Sequence, residues 1–369
     1  MRKFWQRSLV AGLAVLGAST PVAAQQLSDD EQQNNIPYGT RSGEFLLLPV
    51  GGRATALGSA FTALADDISA LYWNPAGVSL MGSRQAMVSY IDYIDDTRQV
   101  WVGFATPFGA GDKSIGIQLG TFGFSDQPEY TVNEPDGTGS TYSVNMSQIG
   151  LTYAQQFNDR FSFGATGKFV QENLAGASAS TFAVDIGTTY QAELAGRTIR
   201  GAFTITNLGG SLKHSGSDLQ TELPELDPNL PPGEKPVELS TKAWELPTAF
   251  RVGVAYDVIS NSNSRLTAAG EFAQPTGNDV AGAVGAEYAL TNIGDSGFSA
   301  ALRGGFNYEG DNGLDVGSSR MNGLNGDGLS FGGGLGYMLS ENTGLNVDYA
   351  YRDKGLLGQQ HLFSMGVRF

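Results

Sequence analysis

The chain has 369 residues, a formal net charge of −15, 51 glycines, two histidines and no cysteine. The lack of cysteine excludes disulfides and thiolate metal sites, and the strong negative charge argues against nucleic-acid binding. No apolar run reaches the roughly 18 residues of a transmembrane helix. The strands of a membrane β-barrel are apolar on one face only, so such a barrel remains compatible with this sequence.

The first segment, residues 1–24, has the features of a secretory signal peptide. A basic region at residues 2–7 precedes an apolar stretch at 9–17, and Ala24 suits the position before a cleavage site. The residues that follow are polar. We therefore interpret residues 25–83 as a periplasmic lead-in and an N-terminal plug.

The stretch from Phe45 to Met81 differs from the rest of the chain because small residues dominate its middle. Leu57, Phe61 and Leu64 fall at helical spacing, which predicts weakly helical structure. A small, partly helical segment before a long run of strands indicates a plug inside a barrel. We expect these three side chains to contact the plug interior or a ligand.

Two adjacent carboxylates and an Asn-Pro turn form the strongest local motif. Asp66 and Asp67 can cap a short helix around residues 68–72, Asn74 can hydrogen-bond nearby backbone, and Gly77 can adopt a positive φ. Ligand contact in the lumen is the alternative role. We favour the structural role because a turn inside a membrane barrel must satisfy its own backbone groups.

The string from Gly52 to Gly77, GRATALGSAFTALADDISALYWNPAG, resembles the N-terminal signature of the PorV/PorQ family. That family consists of outer-membrane barrels similar to the FadL fatty-acid channels. The resemblance implies a luminal plug and places the motif within it. The residues of this plug and turn motif are Asp66, Asp67, Tyr72, Trp73, Asn74, Pro75 and Gly77.

Beyond the plug, residues 84–369 show the alternation of one-sided strands. In one strand, Phe161 and Phe163 alternate with Ser162 and Thr166, and period two with one apolar face indicates burial on one side. The predicted fold is all-β: a 14-stranded antiparallel transmembrane β-barrel with an N-terminal luminal plug. The fourteen strands are predicted at 84–93, 97–106, 114–123, 142–157, 159–172, 178–191, 197–208, 246–259, 264–274, 279–291, 297–309, 328–339, 343–352 and 359–369.

Every long loop follows an odd-numbered strand, and the connections after even-numbered strands are all short turns, as in outer-membrane barrels. With an even number of strands, the start of the first strand and the end of the last strand both lie on the periplasmic side. We therefore expect the plug to enter from the side of the short turns. The last strand alternates strictly and ends in Phe369. It resembles the signal read by the barrel-assembly machinery of Gram-negative bacteria, which indicates an outer-membrane location.

Charged residues inside the strands fall on the face opposite the aromatic side chains. Basic residues on the lipid face would cost about 2–4 kcal/mol each, so we expect these side chains to point inward. Inward placement predicts ion pairs that fix the plug or, alternatively, a polar conduction path. These residues are Lys168, Asp185, Arg200, Arg251, Asp257, Glu271, Glu287, Arg303, Asp348, Arg352 and Arg368.

The longest loop, residues 209–245, is acidic and rich in proline. Leu219, Leu223, Leu226 and Leu230 give it apolar contacts, so it is either an ordinary surface loop or a docking surface for a protein partner. A G-x-S-x-G pattern surrounds Ser330 but lies at the start of a strand, without the strand–turn–helix that a hydrolase requires. We therefore expect neither an enzyme nor a cofactor or metal site.

Two functions remain open at this stage. By its resemblance, the barrel is a component of a type IX secretion-like apparatus that binds secreted substrate or translocon partners. The alternative is a FadL-like channel for hydrophobic small molecules such as long-chain fatty acids. Expected partners are outer-membrane lipid, the barrel-assembly machinery and proteins of a secretion complex, and not nucleic acid.

Overall fold

The structure is a computed structural model. It describes residues 41–94, 96–223, 235–278, 280–309, 315–316, 319–320, 328–340, 342–355 and 358–369. The predicted signal peptide and the lead-in up to residue 40 lie outside the described residues. Among the described residues, no helix is long and apolar enough to cross a bilayer.

Fourteen antiparallel strands form a closed ring. The principal sheet has fifteen strands, and one of them is the two-residue strand Ser215–Gly216, which adds to the end of a barrel strand. The barrel strands are β1 Gln85–Asp92, β2 Arg98–Phe108, β3 Lys113–Pro128, β4 Thr141–Asn158, β5 Phe161–Leu174, β6 Ala177–Leu194, β7 Arg197–Gly209, β8 Ala249–Ser260, β9 Ser264–Pro275, β10 Ala281–Leu290, β11 Phe298–Glu309, β12 Leu329–Met338, β13 Gly344–Asp353 and β14 Gln359–Arg368.

Each strand pairs with its neighbours in sequence, and β1 pairs with β14 to close the ring. The predicted all-β barrel of fourteen strands is therefore confirmed. The clearest difference is in β3, which continues to Pro128 instead of ending at residue 123 and pairs with β4 as one long hairpin. The loop between β7 and β8 also contains short paired strands, at Gln220–Leu223 and Lys235–Glu238.

The connections lie at two distinct ends of the barrel. The loop end carries the connections after odd-numbered strands, including residues 129–140, 210–248 and 310–328, and the turn end carries the short connections after even-numbered strands. Along the strands burial alternates; in β5, for example, Ser162, Thr166 and Lys168 are buried while Phe163 is half-buried. The polar face of the strands thus points inward.

Residues 41–83, called the plug from here on, fill the lumen. Their helical elements are the 3-10 helix Glu44–Leu47, α1 Gly52–Ala56, α2 Ala70–Trp73 and the 3-10 helix Pro75–Leu80. Helix α1 contacts β11–β14, whereas the 3-10 helix Pro75–Leu80 contacts β3–β6 on the other side of the ring. The plug therefore spans the lumen, and its side chains form the main buried apolar cluster together with inward residues such as Trp101.

Two local expectations for the plug motif were wrong. The helix covers Ala70–Trp73 rather than residues 68–72, with Ser69 in the N-cap position and the Asp67 carboxylate accepting the backbone N–H of Ser69 at 2.9 Å. Gly77 lies within a 3-10 helix and does not have a positive φ. The role of Gly77 is set by its contact with another part of the plug and not by a turn conformation.

Candidate functional site

Arg53 at the start of α1 connects the plug to the barrel wall. Its Nη1 lies 2.6 Å from Asp66 Oδ1 and 2.8 Å from Asp67 Oδ2, and its Nε lies 2.8 Å from Glu287 Oε2 in β10. Burial acts to raise the pKa of Asp66, but the positive charge of Arg53 outweighs it and holds that pKa below its ordinary value. Both aspartates are thus ion-pair partners of Arg53, and Asp67 also caps the turn before α2, where its Oδ1 accepts the backbone N–H of Ser69 at 2.9 Å.

The ion-pair network continues around the wall. Arg303 in β11 lies 2.7 Å from Glu287 and 2.6 Å from Asp348 in β13. A separate pair joins Lys168 to Asp185 at 2.8 Å. These pairs agree with the expected inward placement of charges. They join strands of the barrel wall to one another, and they also join the wall to the plug. Arg53 is the residue that sequence reasoning missed, although it stands next to the first glycine of the plug motif.

Asn74 is fully buried and uses both ends of its amide. Its Oδ1 accepts the backbone N–H of Ala76 at 3.1 Å, and its Nδ2 donates to the carbonyl of Thr62, the carbonyl of Thr188 and Thr189 Oγ1 at 3.0–3.2 Å. The amide therefore ties the turn to another part of the plug and to β6. A carboxylate would lose the donated bonds, so the position requires an amide.

Glycines allow this turn to approach the wall closely. A Cβ at Gly164 in β5 would lie 2.3 Å from the carbonyl carbon of Pro75, and one at Gly187 in β6 would lie 2.9 Å from Pro75 Cδ. A Cβ at Gly77 would lie 1.8 Å from the carbonyl oxygen of Ala65. The glycine at position 77 is therefore explained by close backbone contact within the plug.

Tyr72 and Trp73 donate hydrogen bonds to the N-terminal part of the plug. Tyr72 Oη donates to the carbonyl of Leu46 at 3.0 Å, and Trp73 Nε1 donates to the carbonyl of Val50 at 2.8 Å. The guanidinium of Arg251 lies 5.6 Å from the centre of the Trp73 ring, within cation–π range. Both aromatic residues thus hold the polypeptide that precedes α1.

The apolar side chains proposed for ligand or plug contact lie deep in the plug. Leu57, Phe61 and Leu64 are at most 1% exposed. Leu57 packs against the backbone of β10 and β11, where Gly285 and Gly305 leave room for it. None of the three lines either cavity described below.

The first described residues of the plug lie at the loop end. Arg41 forms an ion pair with Glu245, the backbone N–H of Gly43 donates to Glu172 at 2.6 Å, and Glu44 accepts from Asn278 at 3.1 Å. All three partners lie near connections of the loop end. The expectation that the plug enters from the turn end is therefore wrong for the described residues, which run from the loop end down to β1.

In the described part of the chain, cavities lie on both sides of the plug. A cavity of about 440 Å³ lies at the loop end between the N-terminal part of the plug and the wall. A second cavity, of about 260 Å³, lies at the turn end and is lined by charged residues that include Arg53, Glu287 and Arg303. The plug core separates them. Among the described residues, no cluster of three carboxylate or histidine side chains suits a metal ion.

The long loop between β7 and β8 is fixed to the barrel at its base. His214 Nε2 lies 3.1 Å from Glu172 Oε2, and Asp218 accepts the backbone N–H of Gly176 at 2.8 Å. Leu219 is half-buried. Leu223 lies in a short strand, and its side chain falls outside the described part, as do Leu226 and Leu230 entirely.

Phe369 lies at the turn end beside the start of β1. Its backbone N–H donates to the carbonyl of Arg84 at 3.0 Å, and its ring stacks on Phe104 with a centroid distance of 6.3 Å. The Phe369 ring is 46% exposed. The terminal residue thus extends the seam where the first and last strands meet.

Comparison with known proteins adds a family and a fold. A family model described as "Type IX secretion system protein PorV" matches residues 28–226, more than half of the chain. A search of curated proteins gave no match.

Among solved structures, the toluene transporter TbuX of Ralstonia pickettii is similar with a TM-score of 0.52 and 13% identity, over 86% of this chain and 97% of that one. The CymD monoaromatic hydrocarbon channel gives a TM-score of 0.51 and 13% identity, over 87% and 97%. A Pseudomonas aeruginosa FadL homologue gives 0.50 and 10% identity, over 87% and 98%. At these identities the likeness concerns the fold alone.

Proposed function

The chain belongs to the PorV family of type IX secretion system proteins, and on that premise we propose that it is a non-enzymatic outer-membrane component of a protein-export apparatus. The observation that carries the proposal beyond the family is the filled lumen. The Arg53 network and the buried Asn74 turn fix the plug across the barrel. A barrel closed in this way is suited to binding at its ends rather than to open passage.

An outer-membrane location is supported by the outer surface of the barrel. Large apolar side chains on the outward faces are strongly exposed, among them Leu302, Leu335 and Phe182 at 69–73%. Exposed apolar surface of this extent around a closed barrel is suited to lipid. By the usual arrangement of such barrels, the loop end faces outward and the turn end faces the periplasm.

A role in binding rather than catalysis agrees with the chemistry of the described residues. Ser330, the centre of the G-x-S-x-G pattern, is buried in β12. The two histidines lie apart from it: His214 contacts Glu172, and His361 contacts Tyr349 on β13. No nucleophile and base are therefore paired among them in the way that acyl transfer requires.

We place protein docking at the long loop between β7 and β8. Its base is anchored by His214 and Asp218, which gives the loop a fixed attachment to the barrel. Prolines in the segment reduce the conformational entropy lost when a partner binds. Secreted substrate and translocon proteins are the expected partners, and the terminal strand with Phe369 is the expected contact for the assembly machinery.

The test is a loop replacement that preserves the platform. Gln220 pairs with Glu238, so a short Gly-Ser linker can replace residues 220–238 without disturbing the His214 contact. We expect a heat-modifiable folded barrel that no longer co-purifies with its secretion partner from detergent-solubilised membranes. Replacement of residues 131–137 in the β3–β4 loop is the matched control and should retain the partner.

A second candidate, a FadL-like channel for hydrophobic small molecules, rests on the cavity at the loop end. Uptake of labelled long-chain fatty acid by vesicles that contain the intact barrel would favour it. If the loop replacement also retains every partner, the export proposal is wrong and the channel replaces it.

A further inference from the structure

The outermost part of the plug, residues 41–48, shares its apolar core with the loop between β7 and β8, and we call it the lid segment. Its Phe45 and Leu46 are 4% and 2% exposed and pack with Leu212 and Leu246 from the base of that loop. Three wall residues complete this cluster: Val170, Ala179 and Ala183. The main apolar cluster, which contains Leu57, is separate. The lid segment and the loop thus bury their apolar side chains together.

A buried carboxylate of the wall contacts both the lid segment and the base of the loop. Glu172 in β5 is 3% exposed, its Oε1 accepts the backbone N–H of Gly43 at 2.6 Å, and its Oε2 lies 3.1 Å from His214 Nε2. Hydrogen bonds that a carboxylate accepts are among the stronger ones in proteins. Gly43 also lies directly against the loop: a Cβ at this position would be 2.9 Å from Leu246 Cδ2. The lid segment and the base of the loop are therefore fixed at the same place.

The core of the plug, residues 51–83, is held by other partners. Arg53 pairs with Glu287 in β10, and the amide of Asn74 bonds to β6. The lid segment meets this core through the hydrogen bond that Tyr72 Oη donates to the carbonyl of Leu46. Parts of a protein with separate sets of contacts open separately, each with its own free energy. The lid segment can therefore loosen while the core of the plug stays in place.

We propose that the base of the β7–β8 loop is a latch for the lid segment, and that a protein docked on this loop holds the latch closed. The inference rests on the proposed docking at this loop and deepens it, since it gives docking an effect inside the barrel. A partner that binds the loop in the arrangement described here stabilises that arrangement by linkage. The lid segment is stabilised with it through Glu172 and the shared apolar cluster. Because Glu44, Phe45 and Leu48 line the loop-end cavity, docking also keeps one side of that cavity in place.

Hydrogen exchange of backbone amides measures the opening of each part directly. In the lid segment the N–H groups of Gly43, Leu46 and Leu48 are hydrogen-bonded, and in the core those of residues 55, 57 and 58 are. With the full barrel in lipid nanodiscs, Leu246→Ala should speed exchange at residues 43–48 about tenfold or more, because the lost side chain leaves a gap beside the lid segment. Exchange at residues 55–58 should stay within about twofold of that in the unmodified barrel.

Leu362→Ala is the matched control. Leu362 is fully buried in β14 and packs with Ala56 of α1, in an apolar cluster apart from the lid segment. The control should leave exchange at residues 43–48 within about twofold of that in the unmodified barrel. No acceleration by Leu246→Ala, or an equal acceleration by Leu362→Ala, would overturn the latch.

A nanobody selected against the folded barrel serves as the docked protein. Its epitope is assigned to the loop by loss of binding when residues 220–238 are replaced. We expect the nanobody to slow exchange at residues 43–48 about threefold or more in the unmodified barrel, and not to slow it in Leu246→Ala. Slowing that persists in Leu246→Ala indicates direct shielding, and no slowing in the unmodified barrel indicates an uncoupled loop; either result contradicts the proposal. This test needs no secretion partner, so its outcome is separate from that of the co-purification experiment.

Discussion

Arg53 in the plug and Glu287 in the barrel wall form a two-pronged ion pair, with Nε 2.8 Å from Oε2 and Nη2 3.0 Å from Oε1. Glu287 is 2% exposed, and Arg53 is 14% exposed. The pair joins α1 to β10 across 234 residues of sequence. Because two parallel hydrogen bonds fix both distance and orientation, this contact sets how the plug sits in the lumen.

We expect Glu287→Gln to loosen the plug and raise the leakage of small solutes. The variant removes the counter-charge that Arg53 and Arg303 share. Breaking a buried pair typically costs about 3–5 kcal/mol, and because Asp66 and Asp67 remain beside Arg53, we expect a cost no larger than this. Single-channel conductance in planar bilayers measures the effect. Arg265→Lys is the control, since Arg265 lies 3.5 Å from the same carboxylate but is 35% exposed. Equal conductance of the Glu287→Gln and unmodified barrels would show that the pair does not hold the plug.

The close approach of the Pro75 turn to β5 gives a second prediction. Gly164→Ala should lower the thermal stability of the plug, by about 1–3 kcal/mol, because the new Cβ meets the Pro75 backbone at 2.3 Å. Gly167→Ala lies in the same strand, where a Cβ would meet nothing within 4 Å, and should leave stability unchanged. Thermal unfolding of the plug, monitored by its cleavage by protease, would distinguish the two variants. Equal unfolding temperatures would contradict the packing of the Pro75 turn against β5.

The lowered pKa of Asp66 gives a pH dependence. A carboxyl group with a lower pKa in the folded state contributes stability above its unfolded pKa and loses it as pH falls through the folded value. We therefore expect the plug to loosen below about pH 4. Asp66→Asn should be less stable at neutral pH and less sensitive to acid, as followed by protease protection. An acid response identical to that of the unmodified barrel would exclude Asp66 as its source.

The position of the first described plug residues predicts labelling from one side. Glu44 is exposed at the loop end, and Arg84 is exposed at the turn end. With the loop end facing outward, Glu44→Cys should react with a membrane-impermeant maleimide on intact cells, and Arg84→Cys should react only after the outer membrane is opened. The reverse pattern would invert the proposed orientation.

The sequence by itself determined the barrel. Strand alternation, as in Phe163 and Thr166, depends only on the two-residue period of an extended chain, so it identified fourteen strands and their inward faces. The sorting of loop lengths likewise depends only on strand order. The plug motif was visible because Asn74-Pro75 interrupts a helical pattern locally.

Only the tertiary structure decided what the plug residues do. The Arg53–Glu287 pair, the wall contacts of Asn74 and the contact of Gly43 with Glu172 at the loop end all join residues more than a hundred positions apart. Gly77 likewise depends on the oxygen of Ala65, which only the folded plug brings near. Local pattern carries no information about such contacts, because closure of the ring brings distant strands around one short segment.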